Sequence, residues 1–327
     1  MPSVFTAFAL VFACLTAAHA QLPAPGLEGI SPLSAEEEGH EQDIFSMPPP
    51  VEHPVTFEES DFNTKPWMKD FEWVIVINKA DKGDDRQSLR IYQNQKLLTA
   101  DEIIAATEEM YGADYMGRFS RDLKKRLWAP DVFKISTGRE EFERRGQHGA
   151  SRDSFTITPS GFFVPQYITY RHKSEAYSNK TCGSGYVVKR VVRGRYPNQW
   201  VEKVYRRQPK CVYMEKVVFF NNSIALHKAA SGTEGQLGQR ASGGCVRLPA
   251  SVAMYLFVTI KHASGAPMPK INQDGTVELD GNNQVVKVDS NTTIWGKLNA
   301  RAALIIVQNK FVEPKPSPKP PRRPGRL

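Results

Sequence analysis

The sequence predicts a mainly β protein with a few helices and a mixed, mostly antiparallel core. Short runs rich in β-branched and aromatic residues recur between turn formers, and the few stretches with helical periodicity do not alternate regularly with them. The composition agrees with a globular chain. Of 327 residues, 40% are hydrophobic and 24% charged. This excludes a polytopic membrane protein and a wholly disordered one.

Residues 1–20, MPSVFTAFALVFACLTAAHA, contain no charged side chain and end in Ala18-His19-Ala20, a small-x-small cleavage pattern. They are expected to be a secretory signal peptide, with no integral membrane segment left after cleavage. Residues 21–67 are expected to form an acidic, Pro-rich and mostly disordered arm, with ten acids and no Lys or Arg between positions 21 and 64. The remainder carries 43 basic residues against 25 acids, a charge of +18. Such a body suits an anionic partner such as a cell-wall polymer, or serves solubility alone.

Residues 71–78 (FEWVIVIN) and 88–93 (SLRIYQ) read as the first strands. Residues 99–110 read as a helix, with Thr99 as N-cap and Glu102 three later, a capping box. Strands are expected at 132–136, 161–170, 185–193 and 213–220, with a turn at 158–161. A second helix is expected at 249–260, with Pro249 in its first turn. Residues 277–288 read as a hairpin about Asp280-Gly281-Asn282-Asn283, and 303–307 as a last strand. This divides the chain into a main domain over 68–263, a strand extension packed on it over 264–312, and a basic tail over 313–327. The tail holds six Pro and five Lys or Arg and is expected to be extended.

The chemistry concentrates in residues 222–248, NSIALHKAASGTEGQLGQRASGGCVRL. A strand-like lead ends at His227, a Gly-rich loop follows, and the chain returns through Ser242-Gly243-Gly244-Cys245-Val246-Arg247. A thiol attacks only as thiolate, which a nearby imidazole can generate. Two glycines before the cysteine let the backbone approach a substrate and turn N–H groups inward, where they can stabilise an oxyanion. After removal of the leader three cysteines remain, Cys182, Cys211 and Cys245. An odd count leaves one thiol unpaired in an oxidising compartment, and the count does not say which. No Cys-x-x-Cys or His-x-x-x-His set, P-loop or dinucleotide fingerprint appears, so no metal, cofactor or nucleic-acid partner is expected.

The segment resembles the active-site signature of the YkuD-type L,D-transpeptidases, in which a His, a Gly-containing loop and Ser/Thr-x-Gly-Cys follow in order. His227, Ser242, Gly244, Cys245, Val246 and Arg247 fall onto it. Independent matches lie upstream. Residues 134–138 (KISTG) resemble the family's strand end, 158–162 (TPSGF) its turn, and Tyr213-Met214 with Phe219-Phe220 the segment leading to the His strand. The likeness covers roughly residues 70–260. Two positions depart from the family. Gly243 stands where most members have His, and Lys228 follows the catalytic-type His where Gly or Ser is usual. The insert over 140–154 is longer than many members show.

The resemblance implies a β-sandwich or barrel-like L,D-transpeptidase catalytic domain that works in the periplasm or cell wall on peptidoglycan stem peptides. It implies Cys245 as nucleophile, His227 as base, and backbone N–H groups of Gly244, Cys245 and Gly243 as oxyanion hole. Arg247, Ser242, Tyr213 and Met214 are expected to bind substrate. The product is a 3→3 cross-link or an exchanged terminal D-amino acid. An L,D-carboxypeptidase of the same fold and an inactive wall-binding protein are the alternatives. A Cys182–Cys211 disulfide is expected on this reading, because pairing of Cys245 would abolish activity.

Overall fold

The computed structural model describes residues 49–178, 182, 186–193, 200–207, 211–262, 267–288 and 303–313, with the side chains of 186–193, 200–207 and 261–262 left aside. The predicted signal peptide, the arm before residue 49 and the tail after 313 lie outside the described residues.

In chain order the principal elements are α1 (Asp61–Thr64), β1 (Trp73–Asn78), β2 (Ser88–Gln93), α2 (Ala100–Tyr111), α3 (Ala113–Lys125), β3 (Val132–Lys134), β4 (Gly161–Phe163), β5 (Tyr167–Lys173), β6 (Tyr186–Arg193), β7 (Trp200–Arg207), β8 (Tyr213–Asn221), β9 (Ile224–Lys228), β10 (Val246–Leu248), α4 (Ala250–His262) and β11 (Ala303–Gln308). The larger sheet runs β3-β2-β1-β11-β4, extended beyond β3 by residues 127–129, and the smaller runs β10-β9-β8-β5. The fold is mostly strands in several sheets, with no closed barrel among the described residues.

Alternation along the strands builds two cores. Ile75, Ile77, Leu89, Ile305 and Val307 of the larger sheet face Val218, Leu226 and Val246 of the smaller one, with Leu256 and Ile260 of α4 between. Val74, Val76, Tyr92, Leu304 and Ile306 point the other way, onto Phe57, Phe62, Met68 and Phe71. Every residue of β1 and β11 is therefore buried, which is why both read as nearly unbroken apolar runs. The predicted capping box holds: the Glu102 N–H donates to Thr99 Oγ1 at 3.3 Å, and the Thr99 N–H to Glu102 Oε2 at 2.8 Å.

Three expectations are corrected, and two elements had not been expected. The acidic arm is packed from residue 49 onward, because its apolar anchors outweigh its charge. Phe57 and Phe62 meet Tyr92 edge-on at 5.5 and 5.3 Å, and the Phe57 N–H donates to Gln308 Oε1 at 2.7 Å. The strand near residue 303 is no outer extension. β11 lies inside the larger sheet, parallel to β1 and antiparallel to β4. The single strand expected at 161–170 is two, divided at Pro165, and its halves join different sheets. Finally, α3 begins directly after Gly112, whose φ of 89° turns the chain out of α2, and β7 pairs with β6. Sequence reading assigned neither α3 nor β7. The expected turn at 280–283 is present, closed by the Asp280 N–H to Gln284 O at 2.8 Å.

Candidate active site

The smaller sheet places the reactive residues. β9 and β10 run parallel, with Leu226 opposite Val246 and His227 opposite Arg247. Cys245 immediately precedes β10 and so lies level with Ala225. Leu226 and Val246 point into the core. Alternation therefore puts Ala225, His227, Cys245 and Arg247 on the other face. Diagonal neighbours across a ladder stand about 7–8 Å apart, a gap that an imidazole and a thiol can bridge.

His227 is buried, and its Nδ1 lies 2.8 Å from the carbonyl oxygen of Lys228. That contact assigns the proton to Nδ1 and leaves Nε2 with its lone pair free. Burial, with a smaller contribution from the Arg247 guanidinium, lowers the imidazole pKa to about 4. Cys245 is partly exposed. Burial of its sulfur pushes the thiol pKa up, against a hydrogen bond from the Ala225 N–H and the nearby Arg247 charge. The thiol also donates to Ser223 O at 3.6 Å. At neutral pH the pair rests as neutral thiol and neutral imidazole, so the thiolate must form by proton transfer during attack.

The loop before Cys245 is braced by both upstream motifs. Thr158 Oγ1 accepts from the Gly138 N–H at 2.8 Å and donates to Gly244 O at 2.7 Å. Ser136 and Arg247 exchange backbone hydrogen bonds of 3.1 and 2.9 Å. A Cβ on Gly138 would collide with the Thr156 carbonyl. Gly244 sits at φ +112°, a conformation L side chains rarely adopt.

Ser242 caps this turn rather than facing a pocket. Its hydroxyl donates to Cys245 O and accepts from the Gly244 N–H at 3.1 Å. The Gly244 amide, expected in the oxyanion hole, is thus already used. The amides of Gly243 and Cys245 find no acceptor among the described residues.

Arg247 donates to Gln236 Oε1 at 2.7 Å and has no carboxylate partner among the described residues. Met214 packs on the cluster of Val217, Phe219 and Ala225 that Cys245 also touches. Tyr213, in contrast, carries the Arg171 guanidinium 3.8 Å from its ring and pairs with Lys173 at the far end of β8. Lys228 pairs with Glu215 at 2.6 Å, so its charge is compensated.

Sequence reading did not single out Tyr167 or Tyr177. Tyr167 stacks on Phe219 at 4.3 Å, and proximity to Cys245 helps raise its own pKa. The His172 ring meets Phe219 edge-on at 4.9 Å. Both follow Pro165 in β5, and nothing local marks either as functional. The disulfide joins Cys182 to Cys211, leaving Cys245 as the free cysteine among the described residues.

The sequence profile of the YkuD family, the L,D-transpeptidase catalytic domain, matches residues 72–286. Similar solved structures include an L,D-transpeptidase from Mycobacterium smegmatis, at 11% identity and a TM-score of 0.32, covering 73% of this chain and 59% of that one. Another, from Xylanimonas cellulosilytica DSM 15894, is 13% identical at a TM-score of 0.31, covering 72% and 60%. A third, from Mycobacterium tuberculosis H37Rv, is 11% identical at 0.30, covering 73% and 58%. The chain thus spans about three-fifths of the length of these proteins. No curated protein matches it.

Proposed function

The chain belongs to the YkuD family of L,D-transpeptidase catalytic domains, and from that premise we propose that it is a peptidoglycan L,D-transpeptidase working through a Cys245 thioester. What carries the reading is the face shared by β9 and β10, which bears both a cysteine free among the described residues and an imidazole whose Nδ1 is tied back to Lys228 O.

His227 Nε2 takes the Cys245 proton as sulfur attacks the carbonyl of the third residue of a stem tetrapeptide. The carbonyl oxygen becomes an oxyanion, held by the N–H groups of Gly243 and Cys245. Collapse breaks the peptide bond, His227 returns the proton to the leaving amine, and D-Ala departs. A side-chain amine of a second stem then attacks the thioester, releases the thiol and leaves a 3→3 cross-link. A free D-amino acid as acceptor gives exchange. Arg247 offers its guanidinium to a substrate carboxylate, a match favoured by its having no carboxylate partner among the described residues. Export to the periplasm or cell wall follows from the leader-like residues 1–20.

Purified sacculi digested after treatment with the exported protein provide the test. New 3→3 dimers support the proposal, whereas shortened stems alone would mean a carboxypeptidase. Unchanged stems, with the protein still bound to the wall, would mean a binding protein.

A further inference from the structure

Gly243 is the position at which the nucleophile loop has no side chain, and a residue from elsewhere in the chain occupies the space. A Cβ built on Gly243 would overlap the Tyr177 hydroxyl and lie 2.7 Å from two of its ring carbons. The Gly243 backbone lies outside the left-handed region, so Tyr177 is the obstacle there, not the conformation. Gly244 differs, since its φ alone demands glycine.

Tyr177 is not free to swing away. Its hydroxyl donates to Glu143 Oε2 at 3.0 Å and accepts from Arg139 Nη2 at 3.1 Å. Glu143 is fully buried, and Arg139 Nη1 also donates to Ala241 O at 3.0 Å, reaching the same loop two residues before Gly243. The turn that carries Tyr177 is held on two sides. The Ser151 N–H donates to Ala176 O at 2.7 Å. The Val212 N–H donates to Ser178 Oγ at 3.0 Å, next to the Cys182–Cys211 bond. Arg247 belongs to the same group: it is largely buried, and Tyr177, Arg139 and Cys245 lie close enough to act on its guanidinium electrostatically. Glu143 and Ser151 both come from the 140–154 insert, which sequence reading left without a role.

We propose that Tyr177 is a positioning residue of this site, whose clamped hydroxyl fills the space beside Gly243 and holds the Gly243 and Cys245 amides where the reacting carbonyl must lie. Gly243 and Tyr177 are then a matched pair. The insert and the disulfide together deliver a wall that the loop itself does not supply. The inference rests on the transpeptidase reading only for the identity of the reacting carbonyl; the packing relationship stands without it.

The test is a double-mutant cycle on the full exported chain, using Gly243→Ala, Tyr177→Ala and both together, with Tyr177→Phe alongside. One readout is the rate of Cys245 alkylation by iodoacetamide, which needs no enzymatic activity. The other is kcat and KM for a tetrapeptide acyl donor, with thermal unfolding as a check on folding. Tyr177→Phe is expected to lower kcat about tenfold with little change in KM, since it removes hydrogen bonds to charged groups while keeping the ring. Gly243→Ala is expected to change the alkylation rate and depress kcat severalfold. In the Tyr177→Ala background the same substitution is expected to have almost no further effect, because the methyl group then has room. Additive effects of the two substitutions, or full kcat in Tyr177→Phe, would overturn the proposal. If the wild type fails to turn over the donor while alkylation still shows the coupling, the transpeptidase reading fails and the matched pair stands.

Discussion

His227 stands directly opposite Arg247 in the parallel register of the smaller sheet, so its imidazole has a permanent guanidinium for a neighbour. Together with burial this keeps the imidazole neutral far into the acid range. Catalysis through neutral His227 should persist until the ring protonates. The acid limb of kcat/KM is therefore expected near pH 4, well below the ordinary histidine value of 6.5. Arg247→Gln removes one of the two lowering causes and should move that limb upward. A limb at 6.5 in the wild type would contradict the assignment.

The same group links stability to pH. Its folded pKa of about 4 lies below the value of 6.5 for an unfolded chain, so the unfolded state binds the proton first. Stability from this residue is present above pH 6.5 and is lost as pH falls toward 4. His227→Gln should flatten the slope of unfolding free energy over that window, measured by urea titration at several pH values.

The sulfur of Cys245 has the opposite shift. Its raised pKa predicts that alkylation of the native protein accelerates with pH through and beyond 9. Labelling should fall on Cys245 alone, because Cys182 and Cys211 are joined. Peptide mapping of the modified protein reads this directly, and label on Cys182 or Cys211 without reductant would contradict it.

Thr158 ties the two upstream motifs to the nucleophile loop through one hydroxyl. Thr158→Val keeps the shape but leaves the Gly138 N–H and Gly244 carbonyl unpaired. It should destabilise by about 2 kcal/mol and lower Tm by about 5 °C. Turnover should fall as well, since Gly244 lies next to the nucleophile. Unchanged Tm in a calorimetric scan would mean that the brace contributes nothing.

Lys79 is buried with its Nζ 2.7 Å from Glu52, 3.0 Å from Glu140 and 2.8 Å from Thr158 O. Removing the cation strands the Glu140 carboxylate, which is mostly buried, and frees the more exposed Glu52. Lys79→Met is expected to destabilise by about 3 kcal/mol. It should also expose the segment around Glu52 to limited proteolysis, which a digestion time course would detect.

The parts of the fold that were legible in the sequence are those governed by neighbours in the chain. The Thr99–Glu102 box, the β1 and β2 runs and the His227-to-Cys245 segment all follow from local spacing and residue type. The parts that were not legible depend on partners far away. Residues 303–307 read as a strand, but their place beside β1 rests on pairing across more than two hundred residues. Lys79 sits in a turn-like stretch and is buried only because Glu52 and Glu140 arrive to meet it. α3 has just Met116, Ser120 and Leu123 buried, too few to announce a helix. In the site, Cys245, His227 and the glycines were legible because their chemistry is carried by residue type. The use of the Gly244 amide by Ser242 and the approach of Tyr177 are matters of register and turn geometry.

The central claim is tested most directly by intact-protein mass spectrometry after incubation with a disaccharide tetrapeptide. The account predicts an adduct equal to the donor minus D-Ala, mapped to Cys245 and lost in Cys245→Ala, with His227→Ala slowing its formation by about a thousandfold. No adduct on the folded wild type, or one that persists in Cys245→Ala, would contradict it.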